Sequence, residues 1–236
     1  MEKTGKILRT LGLVAVGLLL LTLIIFNVNT TPPASDKVWD MRTTVGDANA
    51  KNLFIMYTDL ACPYCDVFSR AIMENQEEFE QYIADNSILF EVRLMNFLYN
   101  YGESHPDMSN WSAQATVCAT EEGRFWDYYH ASIKALWDDY QSKGIGASKT
   151  SPAITGMTRD YWVKIGGKIG MDEKKLSDCM SSTETAKTLD ARVEKMTRSG
   201  ASGLPYFVEG NFTQNGFDTS WGWEEVKEYL AAGLKK

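Results

Sequence analysis

The sequence predicts an α/β fold. Its expected order is a strand, a helix and a second strand, then a long helical insertion, a strand hairpin and a closing helix, with one transmembrane helix ahead of them all. Three observations predict it. Leu53-Phe54-Ile55-Met56-Tyr57-Thr58 is an unbroken apolar and aromatic run of strand length, and Ile88 to Leu94 alternates with period two. Between them, residues 63–85 place apolar side chains at helical spacing, and strand, helix, strand in succession is by default a right-handed parallel unit. From Ser112 to Arg198 the pattern is helical, and only near Tyr206 does strand character return.

Taken in order, the N-terminus comes first. No charged residue occurs from Thr10 to Ser35, and Leu11 to Val28 is almost wholly apolar, close to the ~20 residues that a helix needs to cross a bilayer. Lys3, Lys6 and Arg9 precede it, which directs the short N-terminal end to the cytoplasm and the rest outward. Residues 1–28 are therefore expected to be a cytoplasmic stub and an uncleaved anchor, and 29–37 a Pro- and Thr-containing tether. A removed signal peptide competes with this reading, but no Ala-x-Ala site follows the apolar run and Pro32 and Pro33 crowd any cut. The expected location is the cell membrane, single-pass, with the C-terminal domain extracytoplasmic.

Residues 38–236 form the expected folded domain, with a helical insertion at about 105–200. Setting aside Glu2, Lys3, Lys6 and Arg9 from 24 basic and 31 acidic residues leaves the exported part at −9. That charge argues against nucleic acid as a partner, since phosphate binding needs basic patches.

Chemistry concentrates at Cys62-Pro63-Tyr64-Cys65, where the first strand gives way to the helix. A thiol at a helix mouth meets unpaired backbone N–H groups and the positive end of the helix dipole, which favour a thiolate. Pro63 suits the first helical position, because its missing N–H is not needed there. Cys62, on the exposed side of the mouth, is the expected nucleophile, and Cys65, one turn in, the resolving thiol. Zinc would need about four ligands, and the chain offers only His105 and His130, neither at zinc-finger spacing from the pair. An inert structural pair is the other alternative.

Further on, Ala115, Cys118, Ala119, Phe125, Tyr129, Ile133 and Leu136 mark one or two amphipathic helices over 112–140. The aromatics Phe125, Trp126, Tyr128, Tyr129 and Trp137 read as core and core edge rather than as a binding surface. Lys143 to Ser148 is a loop. Helices are expected at Thr158 to Ile165, Asp172 to Met180 and Thr183 to Arg198, the last ended by Gly200. Gly210-Asn211 between Tyr206 to Glu209 and Phe212 to Gln214 signals a hairpin, and Trp223 to Ala232 a last helix. The remaining cysteines, Cys118 and Cys179, pair by elimination as a structural disulfide; buried free thiols and a second redox relay are the other readings.

This order, together with Thr58-Asp59 before Cys62-Pro63-Tyr64-Cys65, Cys118-Ala119-Thr120-Glu121-Glu122-Gly123-Arg124-Phe125-Trp126 in the insertion and Ser202-Gly203-Leu204-Pro205-Tyr206-Phe207 near the end, resembles the DsbA-like thiol-disulfide oxidoreductases, a branch of the thioredoxin-fold superfamily. The likeness covers roughly residues 38–233. It implies a thioredoxin fold with a helical insertion, a cis peptide bond at Pro205 beside the cysteine pair, and substrate peptide pairing at Leu204 and Pro205. Some membrane-anchored members carry a second disulfide in the insertion, which supports Cys118 with Cys179. Two departures stand out. Many thioredoxin-fold enzymes bury a carboxylate in the strand, six residues before the first active-site cysteine, and here that position is Met56. Proton handling at Cys65 then falls to water or to another group such as Asp59. The dipeptide is Pro-Tyr rather than the Pro-His of strongly oxidising members, which implies a less oxidising pair.

The expected function is extracytoplasmic protein thiol-disulfide exchange without a cofactor, forming disulfides in exported cysteine-containing proteins through Cys62 and Cys65, with Pro63, Tyr64 and Asp59 in support. A membrane or extracytoplasmic redox partner would reset the pair. A reductase or isomerase would use the same residues, and a thiolate metal-binding or metallochaperone module is the reading from another class.

Overall fold

In a computed structural model of the chain, residues 38–100, 106–148, 150–198, 201, 203–208 and 220–234 are described. The expected anchor and tether lie outside the described residues, as do His105, the Gly210-Asn211 turn and the strand expected at Phe212 to Gln214. Among the described residues no helix is long and apolar enough to cross a membrane.

One mixed sheet of four strands has the order β1-β3-β2-β4, with β1 Thr44–Val45, β2 Asn52–Thr58, β3 Ile88–Leu94 and β4 Tyr206–Val208. β2 and β3 are parallel, Asn52 opposite Ile88 through Thr58 opposite Leu94, as the strand-helix-strand reading requires. β4 lies antiparallel on the other side of β2, with Met56 opposite Phe207, and β1 lies antiparallel on β3. β1 follows a 3-10 turn, Met41–Thr43, whose first backbone N–H groups are served by Asp40: its Oδ1 accepts from Arg42 N at 2.9 Å.

The single helix expected over 63–85 is two. α1 spans Pro63–Glu74 and α2 spans Gln76–Asp85, parted at Asn75, whose φ of −127° and ψ of 40° are not helical and whose Nδ2 donates to Ala71 O at 2.9 Å. Asn competes with the helix for backbone partners and so marks breaks of this kind. Both helices turn apolar faces to one core, which is why periodicity runs through the break. After β3 comes the four-residue α3, Phe97–Asn100, then α4 Pro106–Glu121 and α5 Phe125–Asp139. Gly123, at φ +70°, makes the left-handed turn between α4 and α5, a conformation that favours glycine. A 3-10 turn Gln141–Lys143 leads to α6 Arg159–Lys168, α7 Glu173–Met180 and α8 Thr183–Arg198, and after β4 the chain closes with α9 Trp223–Leu234. Asp172 caps α7 through Lys175 N at 3.0 Å.

The sheet is buried on both faces. Alternate β2 side chains, Phe54 and Met56, join Phe90, Val92, Phe207 and the helices of the larger core, while Ile55 and Tyr57 face a smaller cluster with Met95, Phe97 and Met196. Phe125, Tyr128 and Tyr129 are in the larger core, Trp126 packs against it, and Trp137 lies half-buried under the Arg70 guanidinium at 4.1 Å. On the smaller face Arg93, itself buried, donates to Glu91 Oε2 at 2.8 Å and to the Tyr57 hydroxyl at 2.7 Å, with its guanidinium 4.0 Å from the Trp39 ring. Glu91 Oε1 in turn accepts from Trp39 N at 2.7 Å, which fixes the start of the domain to the sheet. A disulfide joins Cys118 of α4 to Cys179 of α7, with S–S 2.03 Å, and Thr185 Oγ1 of α8 lies 3.7 and 3.6 Å from the two sulfurs.

Candidate active site

The cysteine pair sits just past the C-terminal end of β2, at the mouth of α1. Cys62 is the N-cap residue, in extended conformation at φ −98° and ψ 108°, and Pro63 occupies the first turn. The chain arrives through a tight turn in which Cys62 N donates to Asp59 O at 2.9 Å. Cys62 O then accepts from Cys65 N at 3.0 Å and from Asp66 N at 3.2 Å. Both thiols are free. Cys65 is sealed, at 0 % exposure, and Tyr64 is half-buried beside it.

Cys62 is less open than its place at the mouth suggests, at 5 % exposure. The reason is the segment before β4. The Leu204–Pro205 peptide bond is cis, and the Leu204 carbonyl oxygen accepts from Cys62 Sγ at 3.6 Å. Leu204 itself packs half-buried against the smaller core cluster, and Pro205 is buried. The two segments that the sequence placed 142 residues apart thus meet sulfur to backbone.

Burial sets the electrostatics. It pushes the Cys65 thiol well above its usual value, aided by the neighbouring Cys62 sulfur and by the Asp66 carboxyl. Asp59 is buried too and is pushed up to about 6, against the pull of hydrogen bonds from Ser109, Leu98 and Ala61. Its Oδ2 accepts from Ser109 Oγ at 2.6 Å and from Leu98 N at 3.0 Å, and its Oδ1 from Ala61 N at 2.8 Å. Asp59 therefore ties the β2–α1 turn to α3 and α4, with both oxygens committed. Met56, the strand position that lacks an acid, is core.

Two polar residues here were not singled out from the sequence. Asp66, one residue after Cys65, is buried and held through Oδ2 by Gln141 Nε2 at 2.6 Å. Burial pushes its carboxyl well above the usual range, and the Cys62 charge and then Asp59 add to the effect, opposed by the Gln141 hydrogen bond. Ser69 bridges Cys65 O, at 2.8 Å, and the Tyr129 hydroxyl, at 2.5 Å, closing the floor of the site.

The thioredoxin family model matches residues 39–231. The chain belongs to the thioredoxin family. Solved structures agree on the fold of this thioredoxin-family chain. A thioredoxin-like oxidoreductase from Silicibacter pomeroyi superposes with a TM-score of 0.55 at 17 % identity, covering 84 % of this chain and 95 % of its own. The catalytic domain of Proteus mirabilis ScsC gives 0.52 at 18 % identity, covering 84 % and 92 %. Wolbachia pipientis alpha-DsbA1 gives 0.53 at 14 % identity, covering 81 % and 90 %. No curated protein sequence matches the chain.

Within this thioredoxin-family frame the site can exchange thiols for disulfides. Two sulfurs lie one helical turn apart, one sealed and one at the mouth, which is the geometry of an attacking and a resolving thiol. Among the described residues no group of three or more His, Cys, Asp or Glu side chains is arranged to hold a metal ion. His130 lies against the Trp126 and Tyr129 rings.

Proposed function

We propose that the chain is a membrane-tethered, extracytoplasmic protein thiol-disulfide oxidoreductase that forms disulfides in exported proteins. A substrate thiolate opens the Cys62–Cys65 disulfide at Cys62 and the substrate's second thiol then displaces Cys62, leaving both cysteines reduced; when a redox partner restores the pair, Cys62 makes the mixed disulfide with that partner and Cys65 resolves it. The observation that carries this reading is the contact of Cys62 Sγ with the Leu204 carbonyl, because it sets the attacking sulfur beside a backbone segment along which an extended peptide can lie. The sealed Cys65, kept protonated by its burial, suits the resolving role. Location rests on the apolar run Leu11 to Val28 and the basic residues before it.

In the native host, Cys65→Ala leaves a mixed disulfide through Cys62 without Cys65 to release it. Disulfide-linked adducts that vanish on reduction, and that are absent when Cys62→Ala is added, are the expected result. Exported proteins among the captured partners support the oxidase. A partner set confined to membrane or extracytoplasmic reductants would instead assign the reductase direction, and no adducts from a folded variant would overturn thiol exchange altogether.

A further inference from the structure

The described residues bury three carboxyl side chains, Asp59, Asp66 and Glu91. Glu91 is held by Arg93, and both oxygens of Asp59 accept hydrogen bonds. Asp66 differs: its Oδ2 accepts from Gln141, while its Oδ1 is shielded from solvent and has no hydrogen-bond partner among the described residues. Buried polar atoms are rarely left so, and an orphan beside a reactive group asks for a function. A carboxylate oxygen without a donor is an open place for a proton.

Asp66 has the pair for neighbours. It follows Cys65 directly, its N–H is bonded to Cys62 O, and its charge is coupled to those of Cys62 and Cys65. The other titratable groups facing it are Asp59, in the turn before α1, and Tyr129 on α5; Gln141 is neutral. No cation is among them.

Resting on the exchange chemistry above, we propose that Asp66 is the buried proton carrier for Cys65. When the mixed disulfide is resolved, the Asp66 carboxylate takes the proton from Cys65 Sγ. The electron pair left on that sulfur attacks Cys62 Sγ, the Cys62–Cys65 bond forms, and the bond from Cys62 Sγ to the redox partner's sulfur breaks, its electrons leaving on the partner thiolate. In the reverse direction a substrate thiolate attacks Cys62 Sγ, Cys65 is expelled as thiolate, and the Asp66 carboxylic acid returns the proton. Gln141 tunes the acid, because its N–H favours the carboxylate.

The test uses the reduced full chain and excess 5,5′-dithiobis(2-nitrobenzoate). Attack by Cys62 releases one thionitrobenzoate and attack by Cys65 on the resulting mixed disulfide releases a second, so the two steps separate in time; Cys65→Ala identifies the first. Asp66→Asn keeps the size of the side chain and an acceptor for Gln141. It is expected to slow the second release by about 100-fold, to leave the first no slower, and to replace the pH inflection of the second with a plain rise with hydroxide. Gln141→Leu, which leaves Asp66 in place, is expected to move that inflection to higher pH, and it decides the matter if Asp66→Asn does not fold. A second release with wild-type rate and pH profile in Asp66→Asn, or an unmoved inflection in Gln141→Leu, overturns the proposal. A wild-type chain that releases only the first equivalent overturns thiol exchange itself, and this proposal with it.

Discussion

Asp59 shows what burying a single carboxyl does to the pH dependence of the whole fold. Its folded-state value of about 6 lies above the ordinary 3.8, because desolvation outweighs the hydrogen bonds from Ser109, Leu98 and Ala61. The native state therefore holds the proton more tightly than the unfolded chain. The stabilisation is complete below pH 3.8 and is lost as the pH rises through 6, a change of about 3 kcal/mol. Chemical denaturation of wild type and Asp59→Asn at pH 4.5 and pH 7 tests this: the wild type should lose more stability over that interval than the variant, and equal losses would contradict it. Asp66 has the same sign. Sequence reading passed it over for a physical reason, since an acid in the first turn of a helix is ordinarily an exposed complement to the dipole. Here the acid is buried because Gln141 arrives from 75 residues away to hold it, and no local pattern announces that contact.

At the scale of elements, the insertion is held by packing and by one covalent link. The Cys118–Cys179 disulfide closes a loop of 61 residues between α4 and α7, and restricting a chain of that length in the unfolded state is worth about 4 kcal/mol in the loop-entropy account. Cys118→Ala with Cys179→Ala should lower unfolding stability by about 2–4 kcal/mol while leaving the Cys62 reactivity of the folded protein near wild type. Denaturant titration read beside the first thionitrobenzoate release checks both parts, and a stability change below about 1 kcal/mol would show that packing around Thr185 suffices alone. Elements whose identity lies in their own residues were legible: the central strands, the helices of the insertion and the helix mouth at Cys62. The 3-10 turn and β1 at 41–45 and the four-residue α3 were not. They are too short for periodicity, and long-range partners hold their neighbourhood in place, Glu91 at Trp39 N and Asp59 at Leu98 N.

For the molecule as a whole, topology brings two distant motifs to one end of the sheet, and what they present to each other sets the redox balance. The sequence supplied both motifs but not their contact, which depends on β4 docking against β2 with Met56 opposite Phe207. In the folded chain Cys62 Sγ faces a carbonyl oxygen, an acceptor that can bond the thiol hydrogen and offers nothing to an anion. Cys65 is held as a thiol by burial, by the Cys62 sulfur and by Asp66, while Pro63-Tyr64 brings no cation between the two. A strong oxidant needs a reduced form made stable as thiolate, and these contacts withhold that charge stabilisation. The reduction potential of Cys62–Cys65 in the full chain should therefore lie below the roughly −120 mV of the most oxidising relatives. Equilibration across glutathione ratios, with alkylation and mass analysis of the peptide carrying both cysteines, measures it. A value at or above about −120 mV would mean that the helix mouth alone stabilises the thiolate enough to outweigh the carbonyl, the burial and the missing cation.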